Sequence, residues 1–180
     1  PYGVGYATWD ESAPKEWLPI ARILAPSVYV TTGIKNTFDW PRPNWIACYS
    51  FPKGQKRSVG GGFNAWAPVL IYGKNDLPLD HKQFRPVPSD KVEGHECAKP
   101  LEPIKWLVRT ATALGYTILD PFMGSGTTGV ACAKLGRKFI GIEIEERYFQ
   151  IACDRIQKAY DQPDIFIEPP SKLKQDTMEL

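Results

Sequence analysis

Residues 117–146 read TILDPFMGSGTTGVACAKLGRKFIGIEIEE, and this stretch decides the fold. Its first apolar residues predict a β-strand that ends at Asp120, and a glycine-rich turn follows. Helix-forming residues come next, and then a second apolar strand that carries Glu143 near its end. The order strand, glycine turn, helix, strand and acid is typical of one nucleotide-binding half of a doubly wound sheet.

The glycine-rich turn suits a bound small molecule. Gly124 and Gly126 lack a Cβ, so the backbone can approach a ligand closely, and the amides at the start of the following helix favour negative charge. Glu143, at the end of the second strand, is placed to accept hydrogen bonds from both hydroxyls of a ribose. The pattern therefore predicts a ligand that contains a nucleoside.

Two phosphate-binding classes fit the turn less well. Residues 124–129 satisfy G-x-G-x-x-G, the pattern of dinucleotide oxidoreductases, but Asp120 would repel a pyrophosphate and attract a cation. Too little chain follows for a second nucleotide-binding half, and no Lys-Ser/Thr pair follows the last glycine, as a P-loop requires. Two acids and two glycines together fit S-adenosylmethionine better than a phosphate-rich ligand. The alternative is a purely structural turn that only packs the helix on the strand.

Four segments resemble a known family. DPFMGSGTT (120–128) resembles the cofactor loop of DNA amino-methyltransferases of the permuted beta class, whose pattern is Asp-Pro-Phe-x-Gly-Ser-Gly-Thr-Thr. GIEIEERYFQIA (141–152) is similar to the strand and helix that follow this loop, and HECAKPLEPIKWLVR (95–109) to the segment before it. The opening Pro-Tyr-Gly resembles the tail of the catalytic Asp-Pro-Pro-Tyr motif. The resemblance covers most of the chain up to about residue 162.

The resemblance implies an α/β fold: a doubly wound, mostly parallel, Rossmann-like sheet of the seven-stranded methyltransferase type, circularly permuted. The catalytic stretch then comes first and the cofactor loop last, and both meet at the carboxyl ends of neighbouring strands. We expect one methyltransferase domain and a tail, divided into a catalytic half (1–74), a linker (75–98), a cofactor-binding half (99–162) and the tail (163–180).

The implied activity is transfer of a methyl group from S-adenosylmethionine to the exocyclic amine of adenine (N6) or, as the less favoured reading, cytosine (N4) in DNA. Pro1 and Tyr2 are the catalytic candidates, with Tyr2 stacking on a base flipped out of the duplex. Because the chain opens inside the catalytic motif, we expect one central strand and the motif's acid to be lacking, and methylation by this chain alone to be poor. Alternatives are a methyltransferase of RNA, protein or a small molecule, and a truncated domain that binds without turnover.

The resemblance also implies which residues hold the cofactor. The turn would surround the methionine moiety, Glu143 would hold the ribose, Phe122 would lie against the adenine or sulfonium region, and Lys99 would reach the carboxylate. The family often has His-Pro ahead of its Lys-Pro, whereas this chain has His95-Glu96. The predicted cofactor residues are Lys99, Asp120, Phe122, Gly124, Ser125, Gly126, Thr127, Thr128 and Glu143.

The implied partner is double-stranded DNA, and the sequence leaves open a homodimer or a restriction-system partner. The formal net charge is +2 (22 minus 20), too small by itself to indicate nucleic acid. A basic, glycine-flanked stretch is the best local candidate for phosphate contact. Its cationic residues are Lys53, Lys56 and Arg57.

The composition fits one globular domain with a sizeable core, because 180 residues bury a large share of their surface on folding. The longest apolar runs are far shorter than a membrane span, and no secretory leader is recognised, so we expect a cytoplasmic protein of a prokaryotic or phage-type host and no membrane partner. His95 and Cys97 lack a second ligand pair, so we expect no metal site. The four cysteines form no C-x-x-C pair and are predicted to be buried, reduced thiols; they are Cys48, Cys97, Cys132 and Cys153.

Outside the central stretch, hydrophobic periodicity predicts further elements. The polar, proline-rich segment 74–94 is predicted to be a crossover linker. The predicted helices are 16–24, 100–114 and 145–160, and the predicted strands are 27–32, 45–51, 67–72 and 164–168.

Overall fold

The computed structural model describes residues 15–33, 36–51, 66–74, 81–85, 92–95 and 98–162. The chain divides into two compact units, Pro1–Pro88 and Ser89–Leu180, and each is described by itself. The division falls inside the segment predicted to be a linker. Several sequence predictions lie outside the described residues, namely those for Pro1, Tyr2, Lys53, Lys56, Arg57, Cys97 and the strand at 164–168.

The described residues of the first unit form one α-helix, a short 3-10 helix and a four-stranded sheet in the order β1-β3-β2-β4. The strand β3 pairs antiparallel with both β1 and β2, whereas β4 pairs parallel with β2. The expectation of a mostly parallel sheet is therefore wrong for this unit. Its elements are α1 (Leu18–Leu24), β1 (Ser27–Thr31), a short 3-10 helix (Thr37–Asp39), β2 (Trp45–Ser50), β3 (Trp66–Gly73) and β4 (His81–Gln83).

The strand β3 lies at the centre of the three antiparallel strands. The strands β1 and β2 run in the same direction, but β3 lies between them and runs in the opposite direction. Side chains on both faces of β3 are buried, so the strand reads as a continuous apolar run instead of alternating. The helix α1 adds Leu18 to the core that lies on β1 and β3.

The short strand β4 falls within the segment predicted to be a crossover linker, where the sequence indicated no strand. Its three residues, His81–Gln83, are all exposed and show no apolar alternation. The strand forms because the edge of β2 offers backbone partners, and the Phe84 amide continues the pairing by donating to the Ser50 carbonyl at 2.8 Å. Pairing of this kind leaves no local hydrophobic signal in the sequence.

The second unit contains the predicted order of strand, turn, helix and strand, which is confirmed. The strands β5 and β6 are parallel and are paired from Thr117–Lys138 to Asp120–Gly141. The helix α3 packs against both α2 and α4. The elements are α2 (Leu101–Ala111), β5 (Thr117–Asp120), α3 (Thr127–Leu135), β6 (Lys138–Gly141) and α4 (Glu146–Asp161).

The strand β6 ends at Gly141, whereas the sequence predicted that this strand would include Glu143. The Ile142 amide still donates to the Asp120 carbonyl, at 2.9 Å, but regular pairing stops at Gly141. Ile144 is 95% exposed, so its apolar character does not mark a buried strand position. Glu143 consequently lies in the connection between β6 and α4.

The cysteine prediction is confirmed only in part. Cys132 is fully buried in α3, and burial raises the pKa of its thiol to about 12. Cys153 is exposed on α4 and Cys48 is half-buried, so the prediction that all are buried is wrong. Both α4 and β2 have one face turned away from the core, and an isolated cysteine carries no signal of the face it occupies.

Within the ranges that the structure describes, no helix is both long enough and apolar enough to cross a membrane.

Candidate functional site

The glycine turn, defined as residues 121–126, follows the carboxyl end of β5. Asp120 connects the strand to the helix beyond the turn: its Oδ1 accepts a hydrogen bond from the Phe122 amide at 3.1 Å, and its Oδ2 accepts one from the Thr128 hydroxyl at 2.7 Å. Both carboxylate oxygens therefore fix local backbone and side-chain geometry.

Glu143 holds the turn from the neighbouring strand end. Its Oε2 accepts the Gly124 amide at 2.8 Å, and its Oε1 accepts the Glu145 amide at 2.9 Å. Parallel strands bring their carboxyl ends to the same edge of a sheet, which is why an acid after β6 reaches a turn after β5. One side chain thus joins the glycine turn to the start of α4.

The turn requires glycine for two separate reasons. Gly124 and Gly126 have φ angles of +51° and +76°, a region that side chains with a Cβ rarely adopt. A Cβ at position 126 would lie 2.8 Å from the Ala152 Cβ, and a Cβ at position 124 would lie 3.1 Å from the His95 Nε2 atom. The turn is therefore enclosed by α4 on one side and by the segment around His95 on the other.

The electrostatics of the turn are set by two nearby carboxylates. Burial raises the pKa of Asp120, hydrogen bonds from Thr128 and Phe122 lower it, and the negative charge of Glu143 raises it. Two acids at one strand edge produce a negative potential. Such a site attracts a cation and repels a pyrophosphate.

A cavity of about 340 Å³ lies beside the turn and was not predicted from the sequence. The His95 ring packs against the Tyr148 ring at a tilt of 59°, with 4.5 Å between centroids, and its buried Nδ1 has no hydrogen-bond partner among the described residues. Burial lowers the pKa of His95, Glu143 raises it and Arg155 lowers it. The cavity is lined by Val92, Gly94, His95, Arg147 and Tyr148.

Four of the predicted cofactor residues differ in their solvent exposure. Phe122 is 55% exposed, whereas Ser125 and Thr127 are only 2% and 4% exposed. The Thr127 hydroxyl donates to the Lys99 carbonyl at 3.2 Å, which brings the start of α2 to the turn, and Lys99 is an exposed residue. Ser125 and Thr127 therefore shape the turn with buried side chains.

Arg155 is a residue of this site that the sequence did not indicate. From α4 its guanidinium donates to the Ser125 carbonyl, and its Nη1 lies 3.5 Å from the Thr127 hydroxyl oxygen. The apolar period of α4 predicted the helix but carried no signal for an arginine aimed at a turn 30 residues earlier.

The second unit thus brings together all nine predicted cofactor residues within or next to one turn. The predicted catalytic pair and the predicted basic stretch lie outside the described residues and are not placed by the structure. In the described part of the chain, no group of three or more His, Cys, Asp or Glu side chains is arranged to hold a metal ion.

Comparison with known proteins gives both sequence and structural matches. The model of the DNA methylase family matches residues 9–154, well over half of the chain. The type II methyltransferase M2.LlaDCHI of Lactococcus lactis subsp. cremoris is 46% identical over 71 residues, which are 39% of this chain and 26% of that protein. The DNA adenine methyltransferase YhdJ of Escherichia coli (strain K12) is 40% identical over 70 residues, which are 39% of this chain and 24% of that protein. The chain thus spans about a quarter of the length of these curated relatives.

The solved structures support the fold. The M1.HpyAVI–SAM complex superimposes with a TM-score of 0.57 at 24% identity, covering 79% of this chain and 82% of that one. The cytosine-N4-specific PvuII DNA methyltransferase gives a TM-score of 0.51 at 17% identity, covering 64% of this chain and 55% of that one. At these identities the likeness concerns the α/β fold alone. The extent of the family-model match decides the assignment: the chain belongs to the DNA methylase family of N6 and N4 methyltransferases.

Proposed function

We propose that this chain is part of an S-adenosylmethionine-dependent DNA methyltransferase that modifies the N6 amine of adenine. The observation that carries the proposal is the pair of carboxylates, Asp120 and Glu143, on either side of a glycine turn in a chain of the DNA methylase family. The adenine preference is supported by a 40% identical relative that is a DNA adenine methyltransferase.

The residues present fit this cofactor. Gly124 and Gly126 have positive φ angles and leave the turn backbone without side chains at these positions. Beside Gly124 lies His95, whose buried Nδ1 has no hydrogen-bond partner among the residues that the structure describes. The two carboxylates suit a ligand with a cationic sulfonium and a ribose. They suit the phosphate groups of NAD or of a nucleoside triphosphate less well. We assign the ribose to Glu143 and the methionine moiety to the surroundings of Asp120 and the turn.

The remaining predicted cofactor residues take supporting roles in this proposal. Phe122 is exposed enough to lie against a ligand, and Lys99 begins the segment that Thr127 holds at the turn. Ser125 and Thr128 fix the backbone of the turn, through the Ser125 carbonyl and the Thr128 hydroxyl. When bound, S-adenosylmethionine supplies a methyl group on a positively charged sulfur.

Pro1 and Tyr2 are proposed to act on the target base. The exocyclic amine is a weak nucleophile because its lone pair is delocalised into the ring, so the base must be held in line with the methyl group. In this proposal Tyr2 stacks on the flipped base, and the backbone beside Pro1 helps to orient the amine.

The function is tested by a methyl-transfer assay on the full-length protein with S-[methyl-³H]adenosylmethionine. Unmethylated duplex DNA, RNA and a protein mixture serve as parallel substrates, and the labelled nucleoside is identified by chromatography. We expect label in DNA, recovered as N6-methyladenine. Label recovered as N4-methylcytosine would contradict the base assignment alone, whereas label only in RNA or protein would contradict DNA as the substrate.

We also propose that the basic stretch contacts DNA phosphates, in the cytoplasm of a prokaryotic or phage-infected cell. Replacing Lys53, Lys56 and Arg57 together by alanine should weaken duplex binding about equally on unrelated sequences, because phosphate contacts carry no sequence information. Each lost contact should lower the slope of log K against log salt by about 0.9. Fluorescence anisotropy at several salt concentrations measures this slope.

The matched control for the basic stretch is a triple alanine variant of three other surface cations, Lys15, Lys138 and Lys158. It removes the same charge, so any effect of net charge alone appears equally in both variants. An unchanged salt slope in the Lys53, Lys56 and Arg57 variant would place the phosphate contacts elsewhere.

A further inference from the structure

Two side chains of opposite charge hold the backbone of two consecutive residues in the glycine turn. The Gly124 amide donates to the Glu143 carboxylate at 2.8 Å, and the carbonyl of the following residue, Ser125, accepts from the Arg155 guanidinium. Charge-assisted hydrogen bonds are about twice as strong as neutral ones. The backbone on both sides of the Gly124–Ser125 peptide is therefore fixed from outside the turn.

Arg155 also reaches beyond the turn. Its Nη1 lies 3.5 Å from the Thr127 hydroxyl oxygen, and this hydroxyl donates to the Lys99 carbonyl at 3.2 Å. A chain of polar contacts thus runs from the middle of α4, through the turn, to the residue before Pro100, at the start of α2. Loss of the guanidinium would release two of the segments predicted to enclose the cofactor.

The packing explains why the turn needs this connection. Gly126 lies directly against Ala152, one helical turn before Arg155 on α4, and has no side chain with which to hold its own backbone. Gly124 and Gly126 have the largest backbone freedom of any residue type. Without the guanidinium, the buried Ser125 carbonyl would lose its charged donor, and a buried unpaired carbonyl is costly.

From this geometry we propose that Arg155 is a positioning residue for the cofactor: it sets the shape of the glycine turn before the ligand binds, without touching the ligand. The role rests on the proposed function, because it presupposes that the turn holds S-adenosylmethionine. It makes α4, which follows Glu143, a second structural determinant of the cofactor site.

The test compares ligand affinities by isothermal titration calorimetry on the full-length protein, at a temperature where circular dichroism shows every variant folded. Arg155→Met should raise the Kd for S-adenosylmethionine by about tenfold or more, because a turn that the guanidinium no longer holds must be ordered when the ligand binds. The Kd for S-adenosylhomocysteine should rise by the same factor, because both ligands lie on the same turn. Arg155→Lys should lie between wild type and Arg155→Met, because lysine offers a charge but no planar fork.

The use of two ligands separates positioning from direct electrostatics. S-adenosylhomocysteine has a neutral sulfur, so a guanidinium that acted on the ligand charge would change the affinity for S-adenosylmethionine selectively. A selective change of more than about threefold would overturn the positioning role. Equal affinities in wild type and Arg155→Met would overturn it as well. If Arg155→Met does not fold, the Arg155→Lys variant provides the test. Its affinity for both ligands is expected to fall by about threefold, and unchanged affinity would contradict the proposal.

The matched control is Lys158→Met, which removes one positive charge from the exposed face of the same helix. Its affinity for both ligands should stay within about twofold of wild type, because an exposed charge contributes little. An equal loss in Lys158→Met and Arg155→Met would show a general effect of the charge of α4 and would overturn the proposal. Failure of the wild-type protein to bind either ligand would instead contradict the proposed function.

Discussion

Replacing Gly126 by valine is expected to abolish binding of S-adenosylmethionine. The residue has a φ angle of +76°, which a β-branched side chain adopts only with strain. Its Cβ would also lie 2.8 Å from the Ala152 Cβ and 3.0 Å from the Ala152 Cα, closer than carbon atoms pack. Because the second obstacle is backbone, α4 must move away from the turn, and Arg155 would move with it. Isothermal titration calorimetry should detect no heat of binding.

The matched control for this variant is Gly115→Val. Gly115 has nearly the same φ angle, +77°, but a Cβ there would meet nothing within 4 Å. Both variants therefore carry similar backbone strain, of about 1–3 kcal/mol, and only Gly126→Val adds the collision with α4. We expect Gly115→Val to bind with an affinity within about threefold of wild type, at a lower thermal unfolding midpoint. Wild-type affinity in a folded Gly126→Val variant would contradict the placement of the turn against α4.

The sequence predicts the cofactor side of the molecule well because its signals there are local. The strand β5, the turn and α3 follow one another directly, and the glycines mark positive φ angles that few other residues tolerate. Asp120 and Glu143 lie at the ends of two strands joined by one helix, so a right-handed crossover brings them to the same edge. The placement of both acids beside the glycine turn follows from this order.

The remaining features depend on contacts between segments that are distant in the sequence. The antiparallel insertion of β3 and the pairing of β4 with β2 are decided by which backbone edges are available, and periodicity does not record them. Arg155, Arg147 and Tyr148 lie on one amphipathic helix whose sequence indicates only its apolar face. Their neighbours, the turn and the segment around His95, become known only once the helix has been packed.

The structure adds a second role for Glu143 that composition and spacing do not suggest. Both of its carboxylate oxygens accept backbone amides of the protein, those of Gly124 and Glu145. Each carboxylate oxygen has two acceptor sites, so both oxygens keep one free lone pair for a ribose hydroxyl. One carboxylate therefore shapes the turn and is still able to bind the ligand. Truncation of Glu143 should consequently cause a large loss of ligand affinity.

Glu143→Ala should accordingly weaken binding of S-adenosylmethionine by at least about a hundredfold. Two ribose hydrogen bonds to a charged acceptor contribute about 1.5–3 kcal/mol each, and every 1.4 kcal/mol is a factor of ten in affinity. The truncation also leaves the Gly124 amide without its acceptor, which loosens the turn before any ligand arrives. Calorimetric titrations with S-adenosylmethionine and with NAD measure the effect, and wild-type protein should bind only the former.

Glu145→Ala is the matched control, because Glu145 is an exposed acid two residues further along and makes no side-chain capping bond to α4. It removes the same charge from the same connection, so a general change in local potential would affect both variants alike. We expect Glu145→Ala to stay within about threefold of wild-type affinity, since exposed charges contribute little. Equal affinities of Glu143→Ala and Glu145→Ala for S-adenosylmethionine would contradict the assignment of the ribose to Glu143. Binding of NAD in preference to S-adenosylmethionine would contradict the cofactor itself, because two carboxylates beside a glycine turn repel a pyrophosphate and attract a sulfonium.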